Sequence, residues 1–562
     1  DFMIPPGTVV PAGGYLVVAR DRASLLERCR QLDAASTVGN YEGNLSDRGE
    51  RLALARPSDP QLPFQDFVVV DEVAYSDGWG RWTDGGGSSL ELIDARADNA
   101  LGPNWQGSDE TAKAPWIDIE HTGVIDNQAG TMEELQIFCP QGGECLLDNI
   151  ELIKAGQPFN RVRNSDFEYG VGGWELLGSH ERSGLEAGEG YASSQSLHVR
   201  ASSQGRSTIS VYRITYDRIS IPISPPAAGE TFTIRAKGRW IAGWPYIVIG
   251  IKGHPLEAVG ALEVPGNLGS PGQPNSRRVA NAGPAISDVQ HMPVLPAASQ
   301  NVIVSARVHD PDGVAAVALQ WRIDGATGAV TAASMTDPDG DGVYAGILPG
   351  QAAGQIAAFA VEAIDAAGAP AASRFPGPPP AGAPALECLV RFGDALSPGV
   401  FGTYRLWVSS TNVARWRARQ TRSDEPVDTT FTYDDYRTVY NSAVAYRGNW
   451  RSFTDYRNAA YMVEFPKTQR VLGDTEVAID FISLNGDNGT KQQEKHAYWM
   501  ARQVDLASIA MRYVHVSVNG SALFRYDSLS PSRTLCASWY GDEDPHVYEQ
   551  LYPHEPFGDY TS

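Results

Sequence analysis

Short apolar runs, many of them alternating with polar residues, recur along this sequence and are cut each time by Gly, Pro or Asp: TVVPAGGYLVVARD, RLALARPSD, LQIFC, FTIRAKGRW and NVIVSARVHDPDG. A period of two sends successive side chains to opposite faces of a strand, so such a chain builds sheets rather than helical bundles. The 57 Gly and 37 Pro supply the turns between strands. Helical spacing is expected at residues 23–31, where Leu25, Leu26 and Cys29 share a face, and at 491–504, where Ala497, Met500, Ala501 and Val504 do. A length of 562 residues implies about three to five domains. The fold class expected is mainly β, with tandem β-sandwiches followed by a partial α+β domain.

The chain carries 67 Asp and Glu against 45 Lys and Arg, a net charge of -22. That balance repels phosphate backbones, and no basic stripe interleaved with aromatics offsets it, so nucleic acid is not an expected partner. Apolar stretches such as Tyr246–Ile251 fall far below the ~20 residues that span a bilayer, so no transmembrane segment is expected. The opening DFMIPPGTVVPAGG reads as the middle of a β domain and the last residues as a stretch without a domain end; both ends read as cut.

Cys139 and Cys145 bracket Pro140 to Glu144 between LQIF and LLDNIEL. A hairpin over that spacing sets two sulfurs opposite each other and makes a disulfide easy, the alternative being two unlinked buried thiols. Cys29, Cys388 and Cys536 show neither CxxC spacing nor a neighbouring His cluster, so no zinc site is expected. A disulfide points to an oxidising, extracellular or cell-surface location. His180, His254 and His496 stand alone and read as surface or packing residues.

Residues 1–114 carry, in order, IPPGTVVPAGGYLVV, LSDRGERLAL, VVDEVAYSDGWGRWTDGGGSSLEL and DNALGPNW. This order resembles the lamin-tail domain, an immunoglobulin-like sandwich found in secreted bacterial proteins as well as nuclear lamins. The resemblance implies binding or scaffolding, with no catalytic residue to carry over.

Residues 115–265 hold about eight strands, enough for a two-sheet jelly roll. NSDFEYGVGGW resembles the first strand of a carbohydrate-binding-module type of jelly roll and DNIEL the last. The order is reversed here, so one circularly permuted domain is expected. The resemblance implies a structural calcium ion at Asp148, Asp166 and Glu168, the alternative being ordinary turn acids. Sugar binding needs exposed aromatics, and Trp240, Trp244 and Tyr246 are the candidates by type, against a role in core packing.

VPGNLGSPGQPNS reads as a Pro and Gly linker to a third, immunoglobulin or fibronectin-like sandwich at 283–394, marked by the alternation in NVIVSARVHDPDG and IAAFAVEAIDAAG. Within it, Asp337, Asp339 and Asp341 repeat at alternate positions before Gly342. Such a run gathers hard oxygen ligands at a sharp turn as calcium loops do; no Glu follows to complete an EF-hand, and an acidic turn without metal is the alternative.

In residues 397–562, FTYDDYRTVYNSAVAYRGNW, YMVEFPKTQRVLGDTEVAIDFI, EKHAYWMARQV and MRYVHVSVNG resemble about the first half of the spore-coat CotH kinase family. The resemblance implies ATP and magnesium as cofactors if the domain is complete and active, with Arg447 and Glu494 as candidate nucleotide contacts. Both are read equally as surface or fold-stabilising charges. The family's Lys pair before the YMVEF strand is replaced by Asn458 and Ala459, and no GxGxxG, GxSxG or HExxH occurs.

Three functional readings follow. The first is a secreted or cell-surface bacterial protein of structural, adhesive or matrix-binding type, with polysaccharide, matrix or other copies of itself as partners. The alternative is an extracellular CotH-type kinase with β-sandwich targeting modules; a further alternative is a subunit of an extracellular filament or surface layer. Phosphoryl transfer depends on Lys or Arg neutralising nucleotide phosphates, and with Asn458 and Ala459 at the Lys positions this chain is expected to be inactive. Incubation with labelled ATP, magnesium or manganese and a generic acceptor should give no transfer beyond that of a Glu494→Ala control; transfer above the control overturns the expectation.

Overall fold

The computed structural model describes residues 2–58, 66–126, 131–203, 217–379, 383–395, 402–418, 423, 425–447, 460–481, 492–508, 511–528, 539–541, 548–549 and 558–559. It is mainly β, and among the described residues no helix is long and apolar enough to cross a membrane. Packing gathers Asp1–Leu176, Arg182–Arg213 and Arg218–Ala285 into one compact unit, and Leu177–Glu181, Ile214–Asp217 and Ile286–Ser562 into a second.

In the first unit, β1 (Val17–Ala19) runs parallel to β2 (Thr37–Gly39), with α1 (Arg22–Arg28) between them. The helix begins where the Asp21 carboxylate accepts the Ser24 N–H at 2.9 Å, a side-chain cap. β3 (Arg51–Pro57) pairs antiparallel with β4 (Phe67–Ala74), and β5 (Leu90–Leu92) with β6 (Trp105–Gly107). The described residues of 1–114 thus form three separate two-stranded sheets, not the facing sheets expected of a sandwich. Four of the six strands are three residues long, too short to present a continuous apolar face.

The jelly roll is built from β7 (Ile117–Val124), β8 (Glu134–Phe138), β9 (Gly143–Lys154), β10 (Glu175–Leu176), β11 (Gly184–Ala187), β12 (Gln195–Ala201), β13 (Ile219–Pro222), β14 (Thr231–Gly243), β15 (Tyr246–Ile251) and β16 (Glu257–Ala261). Two antiparallel five-stranded sheets, in the orders β10-β13-β8-β15-β16 and β11-β12-β9-β14-β7, enclose a core that includes Leu135, Ile137, Leu147, Val199, Phe232, Trp240 and Ile249. β8 and β9 lie in different sheets, so the segment between them crosses the sandwich and is not the hairpin expected. Cys139 and Cys145 both end in the core at 2% exposure as free thiols, with a hydrogen bond between them and no disulfide. The crossing brings the sulfurs together, and the hydrogen bond with Cys139, followed by burial, pushes the Cys145 thiol well above its ordinary value.

The Pro and Gly stretch after β16 is not a free linker, because it is tied to residues 89–113. Buried Glu91 accepts the Ser276 N–H and hydroxyl, each at 2.7 Å, and buried Glu110 accepts the Gly269 N–H at 2.9 Å. Asn275 donates to the Leu92 carbonyl at 2.7 Å, and the Val279 N–H to that of Ile93 at 2.9 Å. A carboxylate taken out of water needs such donors, and the Ser and backbone N–H groups of the stretch supply them.

In the second unit, β17 (Ala285–Met292), β18 (Val302–His309), β19 (Val314–Ile323), β20 (Thr331–Met335), β21 (Val343–Leu348), β22 (Ile356–Asp365), β23 (Ala372–Phe375) and β24 (Cys388–Arg391) make a sandwich of β17-β18-β21 and β20-β19-β22-β23, with β24 also on β22. After it, β25 (Thr403–Trp407), α2 (Ser410–Ala418), β26 (Val427–Tyr433), β27 (Arg437–Arg447), β28 (Ala460–Glu464), β29 (Glu476–Phe481), α3 (Gln492–Gln503), β30 (Met511–Val518) and β31 (Ser521–Ser528) follow in order, and the strands close a barrel, β25-β26-β27-β28-β29-β31-β30. Asp324 accepts the N–H of Ser410 at 2.6 Å and its hydroxyl at 3.0 Å, placing an acid on the first turn of α2. Trp416 of that helix stacks on Tyr446 in the barrel core, ring centroids 4.9 Å apart. The apolar face expected on the second helix is not buried. Met500 and Val504 are 56% and 66% exposed.

Sandwich and barrel share apolar layers. On one face of β22, Ala357, Phe359, Val361 and Ala363 join the sandwich core; on the other, Ile356 and Ala358 pack with Leu389 and Trp407. Tyr440, from barrel strand β27, belongs to the sandwich core, and its hydroxyl hydrogen-bonds His291 Nδ1. His291 Nε2 faces the Val294 carbonyl at 3.1 Å, so it carries the hydrogen and Nδ1 accepts from Tyr440.

Burial pushes the His291 imidazole down from 6.5 to about 4, the Val294 contact opposing it. Between those values the unfolded chain takes a proton that the folded chain refuses. Stability is therefore full above pH ~6.5 and falls as pH drops toward ~4, by about 3 kcal/mol for this group. His291→Gln keeps one donor and one acceptor without titrating. Urea midpoints of the two proteins between pH 4 and 7 should differ in slope, the variant being the flatter; parallel profiles would count against a neutral His291.

Candidate functional site

At one end of the jelly roll Trp82 rests on a glycine floor, and the chain continues from it into Trp244 and Tyr246. β14 ends at Gly243, whose φ of 74° lies in the left-handed region; a side chain there would meet Gly143 Cα at 2.6 Å and Trp82 Cζ3 at 2.9 Å. The Gly243 N–H reaches the Gly86 carbonyl at 2.8 Å and the Trp244 N–H that of Gly142 at 3.0 Å, so the loop before β5 is clamped to the sheet end. Trp82, itself at φ 67°, rests its indole against Gly243 and donates Nε1–H to Glu144 Oε1 at 3.1 Å. Beside this floor, the rings of Trp244 and Tyr246 sit 5.7 Å apart, with Trp244 half-buried and Tyr246 40% exposed.

The polar partner of the cluster is Glu144. Arg81 Nη1 stands 3.3 Å from its Oε1 and lies over the Trp82 ring at 4.7 Å, and His198 Nε2 is 3.0 Å from Oε2 while its Nδ1 meets Glu186 at 2.7 Å. Burial works to raise the Glu144 carboxyl, but the His198 hydrogen bond, the Arg81 charge and the Trp82 N–H outweigh it and hold it at about 2. Glu144 is thus a carboxylate paired with Arg81 and His198, while the Trp244 and Tyr246 pair leaves ring surface exposed. Exposed ring surface accepts a flat C–H face by stacking.

Of the three aromatics expected from sequence, Trp244 and Tyr246 come together here and Trp240 does not. Trp240 is 1% exposed, part of the jelly-roll core, and donates Nε1–H to the Gly243 carbonyl at 3.0 Å. Its position on β14 opposite Cys145 puts it on the inward face. Trp82, Arg81, Glu144 and His198 were not singled out from sequence. Gly85 to Gly87 and Gly142–Gly143 marked the turns without showing that the two would meet.

Asp148, Asp166 and Glu168 do not converge as calcium ligands. Asp148 accepts the Tyr191 N–H at 2.8 Å and the Ser193 hydroxyl at 2.7 Å; Glu168 accepts the N–H groups of Ser194 at 3.0 Å and Gln195 at 2.9 Å. The turn before β12 supplies these donors, and it takes up the two carboxylates separately. Among the described residues, the one acidic group whose ligand atoms all lie within 4.8 Å of one another is Asp337, Asp339 and Asp341. Asp337 holds that turn itself, accepting the N–H groups of Gly340 at 2.9 Å and Gly342 at 3.0 Å. Desolvation opposes these bonds, but they keep its carboxyl below its ordinary value.

Arg447 closes β27 and Glu494 lies in the first turn of α3, but their side chains fall outside the described residues, as do Asn458, Ala459 and Cys536 entirely. His180 and His254 are buried packing residues and His496 is exposed. His254 Nδ1 accepts the Leu256 N–H at 2.9 Å, leaving Nε2 to face Asp126 at 3.1 Å.

No protein-family model and no curated protein matches the chain. Among solved structures, a DUF4785 family protein from Legionella pneumophila subsp. pneumophila str. Philadelphia 1 is 6% identical, and the match covers 75% of this chain and 81% of that one. The TM-score of 0.15 is too low for this likeness to bear on fold or function.

Proposed function

We propose that this chain is a secreted or cell-surface protein of structural or adhesive type, whose jelly roll binds polysaccharide through Trp244 and Tyr246. The observation that carries the reading is the paired rings, 5.7 Å apart with Tyr246 40% exposed. The Trp244 and Tyr246 pair leaves aromatic ring surface in water, and a pyranose ring offers C–H groups that stack on such a surface. Calcium in the Asp337, Asp339 and Asp341 turn and the CotH resemblance belong to the same picture of an extracellular modular protein.

Affinity electrophoresis in gels loaded with soluble polysaccharides tests the proposal. Tyr246→Ala should weaken retardation about tenfold. Tyr169→Ala, which removes a ring 89% exposed elsewhere on the jelly roll, should leave it unchanged. Equal behaviour of both variants, or no retardation of the parent by any polysaccharide, overturns the reading. For the acidic turn, calcium should raise the melting temperature of the parent and leave that of Asp339→Asn unmoved; a parent indifferent to calcium and chelator makes the turn metal-free.

A further inference from the structure

The β3–β4 ribbon carries Leu52, Leu54, Phe67, Val68, Val69 and Val70 at 38% to 58% exposure. β3 and β4 pair only with each other among the described residues, so each has an outer edge open to another strand. Long apolar edges of this kind are templates for strand addition, and large exposed apolar patches mark contact surfaces. The charges on the two edges are opposite. β3 bears Arg51 and Arg56, β4 bears Asp71 and Glu72, and inside the hairpin Arg51 Nε already reaches Glu72 Oε2 at 2.7 Å.

We propose that the occupant is a second copy of this chain, with β3 of one copy adding antiparallel to the free edge of β4 of the next. Repeating the hairpin's own register sets Leu52 opposite Val73, Ala55 opposite Val69 and Arg56 opposite Val68, and brings Arg51 diagonal to Glu72 across the new seam. Pairing like edges sets Asp71 and Glu72 against their own copies, or Arg51 and Arg56 against theirs, which repels. Because two different edges meet, each addition leaves one β3 and one β4 edge free, and the assembly grows beyond a dimer. This inference does not rest on the polysaccharide reading.

Sedimentation velocity on the full chain over about a hundredfold range of concentration reads it. The parent should form species larger than dimers, less so at high salt. Arg51→Glu with Arg56→Glu, and separately Asp71→Lys with Glu72→Lys, should each raise the association midpoint at least tenfold, about 1.4 kcal/mol. An equimolar mixture of the two variants should regain the parent's behaviour, since each then meets an edge of opposite sign. Far-UV circular dichroism matching the parent confirms that the variants fold, and the mixture supplies the decisive readout even where a variant is weakened. A parent that stays monomeric throughout, variants that associate as the parent does, or a mixture that stops at dimers tighter than the parent's, as β4 on β4 predicts, each overturns the proposal.

Discussion

An apolar sheet face must be kept from water, and the parts of this chain differ in what covers each face. In the jelly roll two five-stranded sheets cover each other. In the second unit one strand, Ile356–Asp365, is covered on both faces, by the facing sandwich sheet on one and on the other by Trp407 of the barrel, which packs with Ile356, Ala358 and the neighbouring Leu389. Sandwich and barrel therefore share core, and Tyr440 of the barrel completes the sandwich interior. Over the Arg51–Pro57 and Phe67–Ala74 strands no such cover is found among the described residues, and the apolar side chains there remain exposed.

Buried polar groups set the second level of organisation. Glu91 and Glu110 are less than 5% exposed and take N–H and hydroxyl donors from the stretch after the jelly roll, which turns an apparent linker into part of the first unit. Glu144 is held charged by Arg81, His198 and Trp82, and in the same contacts ties the loop before Leu90–Leu92 to the end of the jelly roll. Asp428 shows the opposite balance. Desolvation, with the Glu387 charge adding to it, pushes its carboxyl up to about 7 against the one N–H that Glu387 donates at 3.3 Å. The balance of desolvation against the donors and neighbouring charges that reach a carboxylate decides which of these states it adopts.

Much of the strand content was legible in the residues. The alternation in NVIVSARVHD appears as Val302–His309 with its even-numbered apolar residues inside, and the Gly and Pro clusters fall between strands. The site was legible only in part. Aromatic type alone named Trp240, Trp244 and Tyr246 together, and it could not separate the inward indole at 1% exposure from the ring at 40%. Residue spacing likewise suggested a hairpin at Cys139 and Cys145, because a short turn and a crossing between sheets have the same length in sequence. Asp148 and Glu168 are acids of the type a calcium site requires, yet donors from the Tyr191 to Gln195 turn, distant in sequence, reach them separately.

The sequence by itself determined the β class, the turn positions, the acidic character and the proximity of Asp337, Asp339 and Asp341, since all of these depend on side-chain period, backbone freedom or neighbours a few residues apart. The tertiary structure alone decided that Trp82 meets Gly243, that Glu91 holds Ser276, that Tyr440 fills the sandwich and that Met500 stays exposed. Each of those outcomes depends on which sheet a strand joins and what then covers it, and strand pairing over tens or hundreds of residues is set by the summed burial of whole faces rather than by any local pattern.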